Sequence, residues 1–166
     1  MLKYSTLIPV VLLFFVAGCG IYSFTGSSLP KHLRTVMIEQ FLNQSLEPNV
    51  AEEVTQRISQ EILTGNLLRI VNENGDATIQ GKIISYSNNP YTFSALDTKQ
   101  INVNQYIVRI VADVEFMDNT KNEPLYKGSI TGEGVYDFAS QTEQDGKIKA
   151  IRQLVEKVMQ NSVQGW

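Results

Sequence analysis

Cysteine and histidine are nearly missing from this chain: its 166 residues include one of each, Cys19 and His32. A single cysteine excludes an internal disulfide framework and any multi-thiolate zinc or iron–sulfur site. A single histidine leaves a hydrolase triad one possible base. That base, His32, sits between Lys31 and Leu33-Arg34 and reads as a solvated side chain. Charge is also scarce, at 19% of residues with a formal net charge of −3, so there is no basic footprint for nucleic acid. The phosphate-binding glycine patterns are missing too, because Gly132-Glu133-Gly134 stands without a GxGxxG or Walker context. Two acidic pairs remain, Glu52 with Glu53 and Asp113 with Glu115. The first suits the opening turn of a helix, and the second suits a solvated, cross-paired strand face. No catalytic residue, cofactor or metal site is expected, and binding is the function class left.

Long apolar runs are absent with one exception, Leu7 to Ala17, preceded by Lys3. At this length it falls short of the ~20 residues that a bilayer core requires and fits the hydrophobic stretch of a secretory signal. It ends in Val16-Ala17-Gly18-Cys19, which resembles the bacterial lipobox. Small residues let the extended chain enter a peptidase site, and only cysteine offers a thiol for a diacylglyceryl group. Residues 1–18 are expected to be a lipoprotein signal peptide, and the lone cysteine becomes the lipidation site. The resemblance implies three acyl chains on Cys19, more than stable anchoring needs. Gly20 follows, where an Asp would resemble an inner-membrane retention signal; its absence favours the outer membrane, facing the periplasm. Residues 19–31 are rich in Gly and Ser and read as a lipidated tether, and 32–166 read as one domain.

Periodicity orders that domain. Leu33–Phe41 reads as a strand. Val50, Val54, Ile58 and Ile62 form an apolar stripe on a helix, with Asn49 and Glu52 as its capping box and Gly65 as its C-cap. Leu67–Val71 and Ala77–Tyr86 read as strands, and 87–100, with Asn88-Asn89-Pro90, as a long polar connection. Val103–Met117 alternates strictly, Tyr106, Val108, Ile110, Ala112, Val114 and Phe116 on one face. A turn at Asp118–Pro124 leads to Leu125–Phe138, where Gly128, Gly132 and Gly134 are expected to weaken or bulge the strand. A last helix, Glu143–Asn161 capped by Thr142, carries Ile148, Ile151, Leu154, Val155, Val158 and Met159 inward, while Lys147, Lys149, Arg152, Glu156 and Lys157 stay wet. The predicted fold class is α+β: a two-layer sandwich, two helices packed on one face of a mostly antiparallel four- to five-stranded sheet. Lys82, Arg109 and Lys127 fall on the polar face if their strands are neighbours. They read either as a cluster for lipid phosphates or as part of a solvated mixed-charge face.

Cys19-Gly20-Ile21-Tyr22-Ser23-Phe24-Thr25-Gly26-Ser27-Ser28-Leu29-Pro30 resembles the opening of the LptE-like family of lipopolysaccharide-assembly lipoproteins, in its Bacteroidetes/Chlorobi form. Thr35–Ser45 resembles the strand that follows it, and Asp76-Ala77-Thr78-Ile79-Gln80-Gly81-Lys82-Ile83 resembles the family's acidic-Ala–apolar–Gly strand. The resemblance covers essentially the whole of the chain after the signal. One departure is Gln105, where an Arg would be expected. The resemblance implies a non-enzymatic plug inside an LptD-like outer-membrane β-barrel, helping its assembly and the transport of lipopolysaccharide to the surface, with the sheet edge or loops meeting lipid phosphates. The alternative is a periplasmic lipoprotein that activates a peptidoglycan synthase or forms part of a secretion channel. A tether of about 12 residues reaches at most ~40 Å, which favours a partner at the outer membrane.

Overall fold

The computed structural model describes residues 29–97 and 100–162. The signal segment, Cys19, the tether as far as residue 28 and Val163–Trp166 lie outside the described residues.

Strand β1 (Thr35–Ile38) leads to a two-residue strand β2 (Leu42–Asn43), then helix α1 (Val50–Gly65), strand β3 (Arg69–Ile70) and strand β4 (Ala77–Asp97). Strands β5 (Gln100–Asp118) and β6 (Glu123–Asp137) and helix α2 (Glu143–Ser162) complete the chain. The six strands form one sheet in the order β3-β1-β4-β5-β6, with β2 also on β4. The sheet is mixed, which corrects the expected mostly antiparallel, four- to five-stranded one. β1 pairs parallel with β3 and β4, and β2 pairs parallel with β4. The reason lies in the connection: a helix intervenes between the two halves, and a strand entered after a crossover helix runs parallel to the strand before it. β4–β5–β6 is an antiparallel meander.

The expected single strand over Leu33–Phe41 is interrupted. Ile38 lies opposite Ile79 but Leu42 lies opposite Lys82, so one extra residue is inserted on the β1–β2 side. The insertion turns Phe41 inward, 2% exposed, over Gly81, where a Cβ would lie 2.4 Å from Phe41 Cε1. The Phe41 N–H then donates to Thr55 Oγ1 of α1 at 3.1 Å, and that hydroxyl donates to Ala51 O at 2.8 Å. A helix hydroxyl thus replaces the lost ladder bond.

The expected polar connection over 87–100 is mostly strand. β4 and β5 pair from Ala77 opposite Asp118 out to Asp97 opposite Gln100, with register shifts near Ile83, Pro90, Thr92 and Ala95. Beyond Gln105, where β6 ends opposite at Asp137, the hairpin continues as a two-stranded arm. Backbone pairing holds it, and Asn-Asn-Pro, read as a breaker, is accommodated by those shifts.

The core lies between the helices and one sheet face. Val54, Ile58, Ile62, Ile79, Ile83, Val108, Ile110, Phe116 and Leu154 are fully buried and form one cluster. The alternation read along Val108–Phe116 is met. Gly132 and Gly134 do not bulge β6, whose register with β5 runs unbroken from Asp137 to Tyr126. Instead they let α2 sit on the strand: a Cβ at Gly132 would meet Ala150 O at 2.2 Å, and one at Gly134 would meet Gly146 O at 2.0 Å.

The helix ends differ in part from expectation. Asn49 has φ 61° and makes no side-chain cap bond, so the capping box with Glu52 is not formed. Its carbonyl accepts the Glu53 N–H at 2.9 Å. The C-cap is Asn66, φ 48°, one residue past Gly65. On α2 the cap at Thr142 is made: Oγ1 accepts the Asp145 N–H at 3.4 Å, and the Thr142 N–H and Oγ1 in turn donate to Asp145 Oδ2, each at 2.8 Å. These bonds, from the amide first, hold the Asp145 carboxyl below the usual range.

The buried stripe of α2 is the expected one at Ile151, Leu154, Val155, Val158 and Met159 and departs from it only at the start of the helix. Ile148 is 47% exposed, whereas Lys147 is 4% exposed. Lys149 and Lys157, expected to be wet, are half-buried and donate to carbonyls of β6, Val135 O at 2.9 Å and Thr131 O at 2.7 Å. Their polar heads find partners, so their stems pack as apolar surface.

Candidate functional site

The sheet face away from the helices carries the three cations singled out above. Cross-strand register places Gln80, Glu115 and Lys127 in one row and Lys82, Asp113 and Ser129 in the next. Between the rows lies a trough of about 540 Å³, ending at Leu42 and Glu39 beside β2. Lys127 Nζ is 3.0 Å from Glu115 Oε1, Gln80 Nε2 donates to Glu115 Oε2 at 3.0 Å, and Lys82 Nζ is 3.9 Å from Asp113 Oδ2. The Lys127 bond, aided by Gln80, holds the Glu115 carboxyl below its usual range against the opposing effect of burial.

Arg109 is on the same face but outside the trough, two rows further along β5. It meets Glu133 directly across on β6, with Nε and Nη2 both 2.8 Å from Oε1. The structure therefore gathers Lys82 and Lys127, sets Arg109 apart, and gives each cation a carboxylate. These are exposed pairs, of the kind worth about 0.2–1 kcal/mol each. Such a face exchanges partners at little cost, and its free energy of folding does not depend on any one pair.

Two polar clusters were not visible beforehand. His32 Nε2 is 2.6 Å from Oδ2 of the fully buried Asp118, so it is not simply a solvated side chain. Asp118 Oδ1 also accepts from Thr120 N, Thr120 Oγ1 and Lys121 N, closing the β5–β6 turn. Burial opposes its ionisation, and the Thr120 hydroxyl, His32 and the two amides outweigh that and bring Asp118 to about 2. At the other end, buried Lys147 joins Glu47 at 3.0 Å and Glu53 at 2.8 Å, tying α2 to the loop before α1 and to α1 itself. The signal for both is weak in sequence: Asp118 is 86 residues from His32, and Lys147 is 100 from Glu47. Among the described residues no group of three or more His, Cys, Asp and Glu side chains is placed to hold a metal ion.

Solved structures share the fold. A hypothetical protein, CT253, from Chlamydia trachomatis superposes with a TM-score of 0.52 at 10% identity, over 78% of this chain and 97% of that one. The PelC dodecamer protein from Paraburkholderia phytofirmans gives 0.50 at 12% identity, over 84% and 95%. A search of curated proteins gives no match.

Fold and face together define a two-layer α+β domain that presents a charge-paired sheet surface opposite its helices. The particular family follows from the sequence: the model for LptE, lipopolysaccharide-assembly, matches residues 33–163, and the chain belongs to that family. Membership places it among the non-enzymatic lipoproteins of lipopolysaccharide assembly.

Proposed function

We propose that this chain is a lipid-anchored lipoprotein on the periplasmic side of the outer membrane, where it plugs and assists assembly of an LptD-like β-barrel and aids lipopolysaccharide transport to the cell surface. The match to the LptE family across residues 33–163 carries this reading. Residues 1–18 direct export, Cys19 takes the lipid, and residues 19–31 tether the domain within reach of the outer membrane. Two lipid signals suffice for stable anchoring, and three acyl chains exceed that.

On this reading Lys82, Arg109 and Lys127 are the cations that meet lipid phosphates. Each ammonium or guanidinium leaves its carboxylate and takes a phosphate oxygen in its place, one charge-assisted bond exchanged for another. Replacing an exposed pair costs roughly 0.2–1 kcal/mol, so the exchange is open to a dianionic phosphate.

The test is affinity purification of the tagged chain from detergent extracts with mass spectrometry. Recovery of an LptD-like barrel is expected, and recovery of a cell-wall synthase in its place overturns the reading. Depletion of the chain should lower surface lipopolysaccharide; an unchanged surface level also overturns it. Cys19→Ala is expected to move the chain from the membrane to the soluble fraction.

A further inference from the structure

The trough on the sheet face away from the helices holds more carboxylates than cations. Lys82 and Lys127 line it, and so do Glu39, Asp113 and Glu115. Two of these carboxylates are paired, Glu115 with Lys127 at 3.0 Å and Asp113 with Lys82 at 3.9 Å. Glu39 has no ion-pair partner among the described residues. Ile38 lies opposite Ile79, so Glu39, just past β1, comes beside Gln80. Across the sheet the row then reads Glu39, Gln80, Glu115, Lys127.

That order decides what the trough accepts when Lys127 changes partner. Glu115 keeps the Gln80 bond at 3.0 Å and loses the cation it pairs with. Its side chain is 23% exposed, so water makes good the loss only in part. A ligand bearing phosphate alone adds its own negative charge beside Glu115 and Glu39, and like charges at close range repel. A ligand bearing one phosphodiester and one primary ammonium adds no net charge. Its phosphate takes Lys127, and its ammonium takes the vacated place on Glu115. The three N–H donors of that ammonium are then shared between the Glu115 and Glu39 carboxylates. Neighbouring strands lie about 5 Å apart, a separation that a two-carbon bridge between phosphate and amine spans.

We propose, on the reading that this face meets lipid phosphates, that the trough recognises a zwitterionic headgroup, a phosphodiester joined by a short bridge to a primary amine, with Lys127 on the phosphate and Glu115 and Glu39 on the ammonium. Lys82 stays with Asp113 and keeps that corner neutral. The exchange at Lys127 then leaves no carboxylate worse paired than before, and it gives Glu39 the cation it lacks.

The test titrates the native full chain, in a neutral detergent, with dihexanoyl-phosphatidylethanolamine, dihexanoyl-phosphatidylglycerol and dihexanoyl-phosphatidylcholine. The first carries the primary amine, the second carries no amine, and the third carries a nitrogen with no N–H. The ethanolamine lipid is expected to bind at least about tenfold tighter than either of the others, the worth of a hydrogen bond to a charged group. A smaller preference overturns the proposal, and so does an ethanolamine lipid that does not bind. Glu39→Gln combined with Glu115→Gln is expected to bring the ethanolamine and glycerol lipids within about threefold of each other, and a larger remaining preference overturns the proposal. If circular dichroism shows that the double variant does not fold, Glu39→Gln alone decides, because Glu39 is exposed and makes no ion pair among the described residues. It is expected to reduce the preference at least about threefold, and a smaller reduction overturns the proposal. Soluble phosphoethanolamine separates the two sources of the headgroup. Displacement of the bound lipid only in large excess supports a lipid, and displacement at equal concentration overturns the lipid in favour of the free compound. An LptD-like barrel that still co-purifies after the headgroup preference has failed leaves the reading of the whole protein standing, so the two failures are distinct.

Discussion

Gly134→Ala adds one methyl group where β6 meets α2. A Cβ there would lie 2.0 Å from Gly146 O, 2.6 Å from Ala150 N and 2.8 Å from Lys149 Cβ. Ordinary contact begins near 3.4 Å, so the closest approach is short by about 1.4 Å. Two of the three atoms are helix backbone, which cannot swing aside as a side chain does. The first half of α2 must lift from the sheet, and it carries Ala150 and Ile151 into the core. Overpacking of this kind costs typically 1–3 kcal/mol, and a backbone clash lies at the upper end. Replacing a strand glycine returns roughly 0.5–1 kcal/mol of backbone entropy. The net expectation is a loss of about 2–2.5 kcal/mol, or a Tm lower by roughly 4–10 °C in a chain of this size. Gly128→Ala is the control. Its Cβ would meet only Tyr126, at 2.7 Å from the phenol oxygen, and that ring can rotate away. Its stability should stay within about 0.5 kcal/mol of native. Urea unfolding followed by circular dichroism separates the two. Equal effects, or a Gly134→Ala protein as stable as native, would refute close helix–strand packing as the role of this glycine.

Thr55→Val removes the hydroxyl that serves both Phe41 N and Ala51 O, and urea unfolding should show a loss of about 1–3 kcal/mol from the orphaned amide. Lys147→Met leaves Glu47 and Glu53 without their cation; breaking a buried pair costs ~3–5 kcal/mol, and the partial exposure of both carboxylates reduces the expectation to ~2–3 kcal/mol. Burial lowers the affinity of Lys147 for its proton, but the two glutamates outweigh this and raise it above 10.5. Its contribution is therefore complete below pH 10.5 and is lost as pH rises through the folded value, so Lys147→Met should flatten that alkaline loss in a stability–pH profile. Asp118 has the opposite sign. Lowered from 3.8 to about 2, it contributes fully above pH 3.8 and loses its effect as pH falls through about 2, and Asp118→Asn should flatten the acid limb over that window. Changing Lys82, Arg109 and Lys127 together to Gln should cut lipopolysaccharide retention in pull-downs while unfolding shifts by no more than about 1 kcal/mol per pair.

The parts of the fold that alternate strictly were legible in the sequence. Val108 to Phe116 showed its buried face because every second residue is apolar, and the same parity put Lys82, Arg109 and Lys127 on one surface. Strand direction was not legible, because period two is the same for parallel and antiparallel neighbours. Only the helix between β2 and β4 carried that information. Composition misled in two places. Asn88-Asn89-Pro90 looked like a break, yet ladder pairing continues past it with a shift of register. Gly132 and Gly134 looked like weak points of a strand, yet they are where a helix backbone comes closest to it. The lysines of α2 looked solvated because hydropathy scores the head and ignores the stem. Their partners, Glu47, Glu53, Thr131 O and Val135 O, are supplied by tertiary structure alone.

The site shows the same division between what parity decides and what register decides. Asp113 and Glu115 were read as part of a solvated, cross-paired face, and cross-paired they are, with Lys82 and Lys127, while Arg109 turns to Glu133. This matters for what the face can bind. The trough brings two lysines together with Asp113, Glu115 and Glu39, so it offers no net positive field to draw an anion from a distance. A phosphate must arrive by another route, held close by a membrane or a partner, and then compete locally for each cation. The side chains differ sharply in how far they permit this. The Lys127 side chain is 70% exposed and its pair is replaceable, whereas the Lys147 side chain is buried between two carboxylates and is not. On the proposed reading, with a lipid at Cys19, no long-range attraction is needed, because the anchor would set the local concentration. A face with no excess of positive charge and with exchangeable pairs therefore fits the proposed recognition of a lipid in the same membrane, and it disfavours capture of a soluble anion.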